Sequence, residues 1–317
     1  MEKIVFLDSA TIPAHIRIPS PAFPHQWESF EETSPDQVVD RLKTATIAIT
    51  NKVVLRGEIL KQLPALKLIA VAATGYNNVD LEWCKAHNLP VCNIRGYATR
   101  SVPEHVMALA FALRRNLNAY HRDIELGVWK EKNQFCFFTH PIGDIQGATL
   151  AIVGSGSLGQ SVEALANAVG MKVIRAERKG AASIREGYVS FDSALESADI
   201  LTLHSPLSDA TRHLIGEQEL AKMKSTAILI NTGRGGLVDE QALVEALKQG
   251  VIGGAGVDVF TEEPATMRNP LLAHAGMPNL ILTPHVAWGS DSSIQALANQ
   301  LTDNLNAFVA GHPQNLV

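Results

Sequence analysis

Cysteine is scarce in this chain: Cys84, Cys92 and Cys136 are the three in 317 residues. They form no C-x-x-C pair and no Cys/His spacing suited to zinc, so a metal site is not expected. An odd, sparse count fits reduced thiols in a cytoplasmic protein better than a disulfide framework. Basic charge is in deficit as well. Lys and Arg number 27 against 32 Asp and Glu, a net charge of −5, which leaves no electrostatic footprint for nucleic acid. Long apolar runs are missing too. The start, MEKIVFLDSA, carries one short run closed by Asp8. That is too short for a signal-peptide core, and no stretch approaches the roughly 18 apolar residues of a membrane span. A cytoplasmic protein with no membrane partner is the expectation.

What is present is an ordinary globular composition, 46% hydrophobic and 19% charged, at a length comfortable for two domains. Segments 3–8 (KIVFLD), 45–51 (ATIAITN), 66–74 (LKLIAVAAT) and 89–94 (LPVCNI) read as buried parallel strands. A surface loop holding Pro13, Pro19, Pro21 and Pro24 interrupts them early. From Ser101 the pattern turns helical over SVPEHVMALAFALRRNLNAYHRDI, with Ser101 suited to the N-cap and Pro103 and Glu104 to the first turn. Apolar residues almost all round it from Val106 to Leu113 imply burial between layers. The aromatic-rich stretch WKEKNQFCFFTHPIGDIQG reads as a connecting arm, and its residues 129–138 as a candidate subunit contact in a homodimer, with an ordinary packed loop as the alternative.

A β-α-β series follows. Its strands run through ATLAIVG, MKVIRAE, ADILTLHSP, AILINTGRG, GGAGVDVF and NLILTPHVA, with helical patches such as DEQALVEALKQG between them. Alternation of this kind builds a parallel sheet covered by helices. The final segment, 291–310, aligns Ile294, Leu297, Leu301, Leu305 and Phe308 on one helical stripe. A helix so striped is expected to pack back onto the first domain. The expected organisation is therefore a nucleotide-binding domain over 101–287 inserted into a first domain made of 1–100 and 288–317.

AIVGSGSLG places Gly154, Gly156 and Gly159 as G-x-G-x-x-G directly after a strand and at the opening of a helix. The bare motif is weak; its place in a β-α-β unit of about 30 residues is what makes it a dinucleotide turn. Two glycines let the backbone turn and approach a pyrophosphate, the third allows helix and strand to pack closely, and the helix N-terminus favours the charge. Ser157 and Leu158 lie within that turn. Glu177, 18 residues past Gly159, stands where a carboxylate meets the adenosine ribose hydroxyls and repels a 2′-phosphate. Arg178 and Lys179 follow at once and pull the other way. NAD is favoured, and the choice against NADP stays open.

ILINTGRGG, residues 228–236, ends a buried strand on an arginine. In open parallel sheets, ligands bind beyond the carboxyl ends of the strands. Three groups capable of chemistry stand at such ends: Arg234, Glu263 after GVDVFTE, and His285 after LILTP. Singly each has a plain alternative, namely a surface arginine, a solvated acid or a structural histidine. Together they suit one task, the reduction of a 2-keto acid. An arginine fork can hold the carboxylate, a histidine can donate the proton, and a glutamate bonded to that histidine fixes its tautomer and favours its charged form.

On these motifs the chain resembles the D-isomer-specific 2-hydroxyacid dehydrogenases over nearly its whole length. The resemblance is carried by GSGSLG, HSPLSDATRHLIG, INTGRGGLVDEQAL, GAGVDVFTEEP and NLILTPHVAWGS. It implies a Rossmann NAD-binding domain inserted into a flavodoxin-like substrate domain, with a catalytic trio of Arg234, Glu263 and His285. It also implies that His204, Pro206, Thr232 and Gly233 line the cofactor site and that Asp258 meets the nicotinamide carboxamide. In AATGYNNVD it implies a substrate-carboxylate loop at Ala73, Thr74 and Gly75. Two departures from the family pattern are Gly233, where alanine or serine is usual, and Tyr76-Asn77 in place of a hydrophobic-Asp pair. CNIRGYATRSVPEH, RAERKGA and HVAWGS look most like bacterial glycerate dehydrogenases, also called hydroxypyruvate reductases. That implies reduction of hydroxypyruvate or glyoxylate with NADH and no metal. The chain stops soon after its last helix, so the regulatory domain of longer phosphoglycerate dehydrogenases is not expected, and a phosphorylated substrate is disfavoured.

Two other classes stay in view. A nucleotide-sensing regulator of the same fold is disfavoured by the lack of a disordered tail or a basic face. A methyltransferase would leave the three strand-end groups unexplained.

Overall fold

The computed structural model describes all residues, 1–317. The chain divides into two compact units, Met1–Tyr97 with Gly289–Val317, and Ala98–Trp288.

In the first unit five parallel strands form one sheet: β1 (Glu2–Phe6), β2 (His25–Ser29), β3 (Ile47–Thr50), β4 (Leu68–Val71) and β5 (Val91–Cys92). Their order, β2-β1-β3-β4-β5, is the flavodoxin-like one. The central strands β3 and β4 are buried at every position, which is why they read as unbroken apolar runs. β2 is the exception. It pairs with β1 along one edge and stays largely exposed, so HQWES carries no apolar run and no strand is expected there from the sequence. Asp8, at the end of the β1 segment, accepts hydrogen bonds from the backbone N–H groups of Asn51, Lys52 and Val53 and so pins the loop after β3. The helix Asp291–Val309 packs on β4 through its apolar stripe, with Ile294, Leu297, Leu301 and Leu305 buried and Phe308 half-buried.

The second unit holds a six-stranded parallel sheet: β6 (Thr149–Val153), β7 (Lys172–Ala176), β8 (Ile200–Leu203), β9 (Ile228–Asn231), β10 (Gly254–Val257) and β11 (Leu280–Leu282). The order is β11-β10-β9-β8-β6-β7, and an isolated parallel bridge from Ala176 to Val189 adds the rudiment of a further strand outside β7. Chain direction along the sheet therefore reverses between β6 and β8, the switch point at which doubly wound sheets bind ligands.

The helix Ser101–Arg114 packs against the helix Ser157–Ala168 and over β9 and β10, burying Val106, Met107, Leu109, Ala110 and Leu113. Two expectations are corrected here. Ser101 is the first helical residue rather than the cap, and its hydroxyl donates to the Trp288 carbonyl. The helical stretch is also two helices, because Asn116 takes a left-handed φ of +49° before Leu117–Glu125 begins. Burial is not complete around the first of them: Ala108 is exposed and Phe111 keeps 40% of its surface.

No helix is long and apolar enough to cross a membrane. Since the first sheet is covered by the C-terminal stripe, Leu301→Ala is expected to destabilise the protein by about 2–5 kcal/mol, the range for emptying a buried leucine site. Chemical denaturation checks this, and a loss below about 1 kcal/mol would show that the stripe carries little of the unit's packing.

Candidate active site

The glycine turn sits at the end of β6. Gly154 has φ +99°, and a Cβ there would lie 2.6 Å from the backbone carbon of His204. At Gly159 a Cβ would meet the Gly154 carbonyl oxygen at 2.1 Å, whereas at Gly156 it would meet nothing within 4 Å. The outer glycines are thus demanded by the protein itself. The middle one faces open space, at the N-cap of Ser157–Ala168, where no side chain caps the first turn. Ser157 and Leu158 open that helix, whose unpaired N–H groups suit a phosphate.

Along the same sheet, Thr202 Oγ1 lies 3.0 Å from His204 Nε2, and desolvation pushes the His204 imidazole down to about 4, so it is neutral at physiological pH. Pro206 continues that strand end, its carbonyl held by the Thr211 hydroxyl. Thr232 Oγ1 is buried with no hydrogen-bond partner, and a buried hydroxyl left unpaired is costly unless a ligand completes it. The open middle glycine, the uncapped helix and this orphaned hydroxyl all fit a bound dinucleotide.

Glu177 closes β7, but its carboxylate is already engaged. Arg185 donates Nε to Oε2 at 2.6 Å and Nη2 to Oε1 at 2.9 Å. This fork, joined by backbone N–H groups of Arg178 and Arg185, holds the carboxyl at about 2.

The three strand-end groups come from neighbouring strands, β9, β10 and β11. After β9, Asn231 ties its own turn, accepting from Gly233 N–H and donating to the Arg234 carbonyl. Arg234 is half-buried, with Nη1 donating to the Gly233 carbonyl. At Gly235 a Cβ would lie 1.8 Å from the Phe260 carbonyl oxygen, so this loop and the one after β10 touch backbone to backbone. Glu263 Oε1 accepts from Phe260 N–H, and Oε2 lies 2.7 Å from His285 Nδ1. A carboxylate only accepts, so Nδ1 is the donor and Nε2 is left as the working nitrogen. His285 itself has φ +56°, a conformation uncommon outside glycine.

Asp258 maintains that turn. Its side chain is wholly buried and accepts from the Thr283 hydroxyl at 2.5 Å and from the N–H groups of Val286 and Ala287, both at 2.9 Å. The resemblance implies a nicotinamide carboxamide as the partner of Asp258; here the carboxylate is committed to protein donors. His105 supports the same network, with Nε2 3.1 Å from Thr283 Oγ1.

In the first unit, Ala73, Thr74 and Gly75 follow the end of β4. The carbonyls of Ala73 and Thr74 accept from Ile94 N–H and Asn93 Nδ2, and the Thr74 hydroxyl donates to the Ile94 carbonyl. None of the three gives its backbone N–H to a protein acceptor.

The sequence reading missed Arg185, Tyr188, whose ring centroid lies 4.0 Å from Arg185 Cζ, and His105. Arg185 and Tyr188 lie in an irregular loop with no periodic signal, and His105 lies inside a helix whose other residues announce only burial.

Residues 107–287 match the profile of the D-isomer specific 2-hydroxyacid dehydrogenase NAD binding domain. The chain belongs to this family. A D-isomer specific 2-hydroxyacid dehydrogenase is an oxidoreductase, and the glycine turn lies in the domain that binds NAD. The chain is 50% identical to the glycerate dehydrogenase of Methylorubrum extorquens over 317 residues, covering 100% of this chain and 99% of that one. It is 35% identical to the hydroxypyruvate reductase of Blautia hydrogenotrophica, over 90% of this chain and 88% of the relative. Among solved structures it resembles the Aquifex aeolicus D-lactate dehydrogenase complexed with NAD and lactic acid, with TM-score 0.82 and 27% identity over 99% of this chain and 98% of that one.

The glycine turn yields a paired test. Gly159→Ala is expected to lower the unfolding temperature or prevent folding, since its Cβ meets backbone. Gly156→Ala should keep the wild-type melting temperature yet weaken NADH binding roughly tenfold or more, the effect of losing close backbone approach. Melting curves with and without NADH check both, and equal behaviour of the two variants would contradict the steric assignment.

Proposed function

We propose that this dehydrogenase reduces hydroxypyruvate, and glyoxylate as a smaller alternative, to D-glycerate and glycolate with NADH. The observation that carries the chemistry is the Glu263–His285 pair, Oε2 to Nδ1 at 2.7 Å. It occupies Nδ1 and leaves Nε2 as the nitrogen free to act, on one of three carboxyl-end loops of adjacent strands, another of which bears Arg234. Support for the substrate comes from the similarity to a glycerate dehydrogenase and a hydroxypyruvate reductase at full or nearly full length.

A nicotinamide coenzyme bound in this domain would supply a hydride to C2 of the keto acid. Arg234 holds the carboxylate and draws electron density from the C2 carbonyl with its planar fork of donors. His285 delivers the Nε2 proton to the carbonyl oxygen as it becomes an alkoxide, and takes it back in the reverse reaction. Glu263, bonded to Nδ1, fixes the tautomer and keeps the ring from turning. Ala73, Thr74 and Gly75 offer unengaged backbone N–H groups as further donors to the substrate carboxylate. The rest of the cofactor set is Gly154, Gly156, Ser157, Leu158, Gly159, Glu177, His204, Pro206, Thr232, Gly233 and Asp258, the last acting through the turn it holds.

We also read the protein as a cytoplasmic homodimer. Free thiols at Cys84, Cys92 and Cys136 suit a reducing compartment. Eight of the 16 exposed large hydrophobic residues fall within residues 111–142, among them Leu126 at 66%, Phe135 at 95% and Phe138 at 78%. A soluble monomer rarely concentrates exposed apolar area in this way.

Two outcomes are expected. Arg234→Ala should raise KM for hydroxypyruvate strongly while NADH still binds, and His285→Asn should lower kcat by about 10²–10⁴-fold with NADH binding retained. Steady-state assays beside NADH titrations separate these effects, and lost NADH binding with an unchanged KM in Arg234→Ala would refute its assignment. For the arm, Phe135→Asp together with Phe138→Asp should shift the sedimentation coefficient from dimer to monomer. A wild-type monomer, or a dimer that the substitutions leave intact, would rule the arm out as the contact.

A further inference from the structure

The charges around Glu177 do not add up to those of a site that rejects a phosphate. Its two oxygens take four donors: Oε1 accepts from Arg178 N–H and Arg185 Nη2, and Oε2 from Arg185 N–H and Arg185 Nε. A carboxylate has about four acceptor positions, so every one is filled. The Arg185 plane is set from its other side by Tyr188, whose ring centroid lies 4.0 Å from Cζ. The Tyr188 hydroxyl in turn lies 2.5 Å from Ser155 Oγ, inside the glycine turn. One run of contacts therefore ties the phosphate end of the dinucleotide turn to the acid at the end of β7. Even so, the Arg185 side chain keeps 53% of its surface, and Nη1 has no protein partner. Nearby, Lys179 is neutralised by Glu219 at 2.9 Å, while Arg178 and Glu186 are exposed and form no ion pair.

A lone carboxylate at this place repels a 2′-phosphate and welcomes ribose hydroxyls. A carboxylate under an arginine fork does neither fully. Its charge is cancelled at contact distance, ribose hydroxyls must displace an existing donor to reach it, and the free guanidinium edge offers hydrogen bonds to a dianion. We propose that Arg185 is the residue that sets coenzyme choice in this dehydrogenase, and that by neutralising Glu177 it lets the site accept NADPH as well as NADH. The proposal rests on the reading of the glycine turn and Glu177 as the dinucleotide site. Tyr188 is a positioning residue for it, holding the guanidinium plane between the carboxylate and the solvent edge where a 2′-phosphate would lie.

Equilibrium binding of NADH and NADPH, followed by nicotinamide fluorescence without keto acid, tests this on the intact protein. The wild type should bind the two with dissociation constants within about tenfold of each other. In Arg185→Ala, NADPH binding should weaken by roughly tenfold or more, the order of a lost charge-assisted contact, while NADH stays within about threefold or tightens. Arg185→Gln, which keeps the bulk of the side chain and removes the charge, should show the same split if the loop of the alanine variant is perturbed. Wild-type binding of NADH with NADPH more than about a hundredfold weaker would overturn the proposal and leave the dinucleotide site standing. Equal weakening of both coenzymes in both variants would overturn it too, marking Arg185 as structural. Binding of neither coenzyme to the wild type would sink the underlying dinucleotide reading as well.

Discussion

The arrangement around His285 depends on one buried carboxylate. Asp258 lies at the end of β10 with no exposed surface, where an unpaired ionised group would be prohibitively costly. Its three donors, the Thr283 hydroxyl and the N–H groups of Val286 and Ala287, all belong to the segment that follows β11. That requirement draws the segment across the end of the neighbouring strand and bends it through a residue with φ +56°. The residue is His285. Desolvation thus makes the turn obligatory, and the turn delivers the imidazole to Glu263.

The same economy of neighbouring strand ends recurs one strand over. β9, β10 and β11 are consecutive in the sheet, so their carboxyl-end loops emerge side by side. The loop bearing Arg234 approaches Phe260 so closely that only glycine fits at 235. Phe260 also supplies the N–H that anchors Glu263. One backbone position therefore sets the places of both the arginine loop and the acid. Groups capable of chemistry share one sheet edge because parallel strands place equivalent ends together, not because the residues are close in sequence.

Cofactor recognition follows a different physical rule. At the glycine turn the protein leaves things unfinished, an uncapped helix and an open face at Gly156, and after β9, two strands away, the Thr232 hydroxyl has no partner. At Glu177 it does the opposite and saturates the acid with its own arginine. The glycine turn and the end of β7 thus differ in character, the first open and the second already charge-balanced.

Much was legible in the residues alone. Unbroken apolar runs mark buried parallel strands because both faces of such strands are covered, and the glycine spacing marks the turn because backbone sterics demand it there. Arg234, Glu263 and His285 stood out because charged groups at the ends of core strands need a reason. The edge strand β2 escaped notice because it is half solvated and has no apolar signature. The break at Asn116 escaped because a single left-handed residue leaves helical periodicity almost untouched. Sequence by itself determined the fold class, the dinucleotide turn and the candidate chemical groups, since these follow from local periodicity, sterics and residue type. Only tertiary structure decided which nitrogen of His285 is left free, that Asp258 serves the turn, and that Arg185 occupies Glu177. Those outcomes are hydrogen bonds between residues 8 to 29 positions apart, made by side chains whose partners no local pattern names.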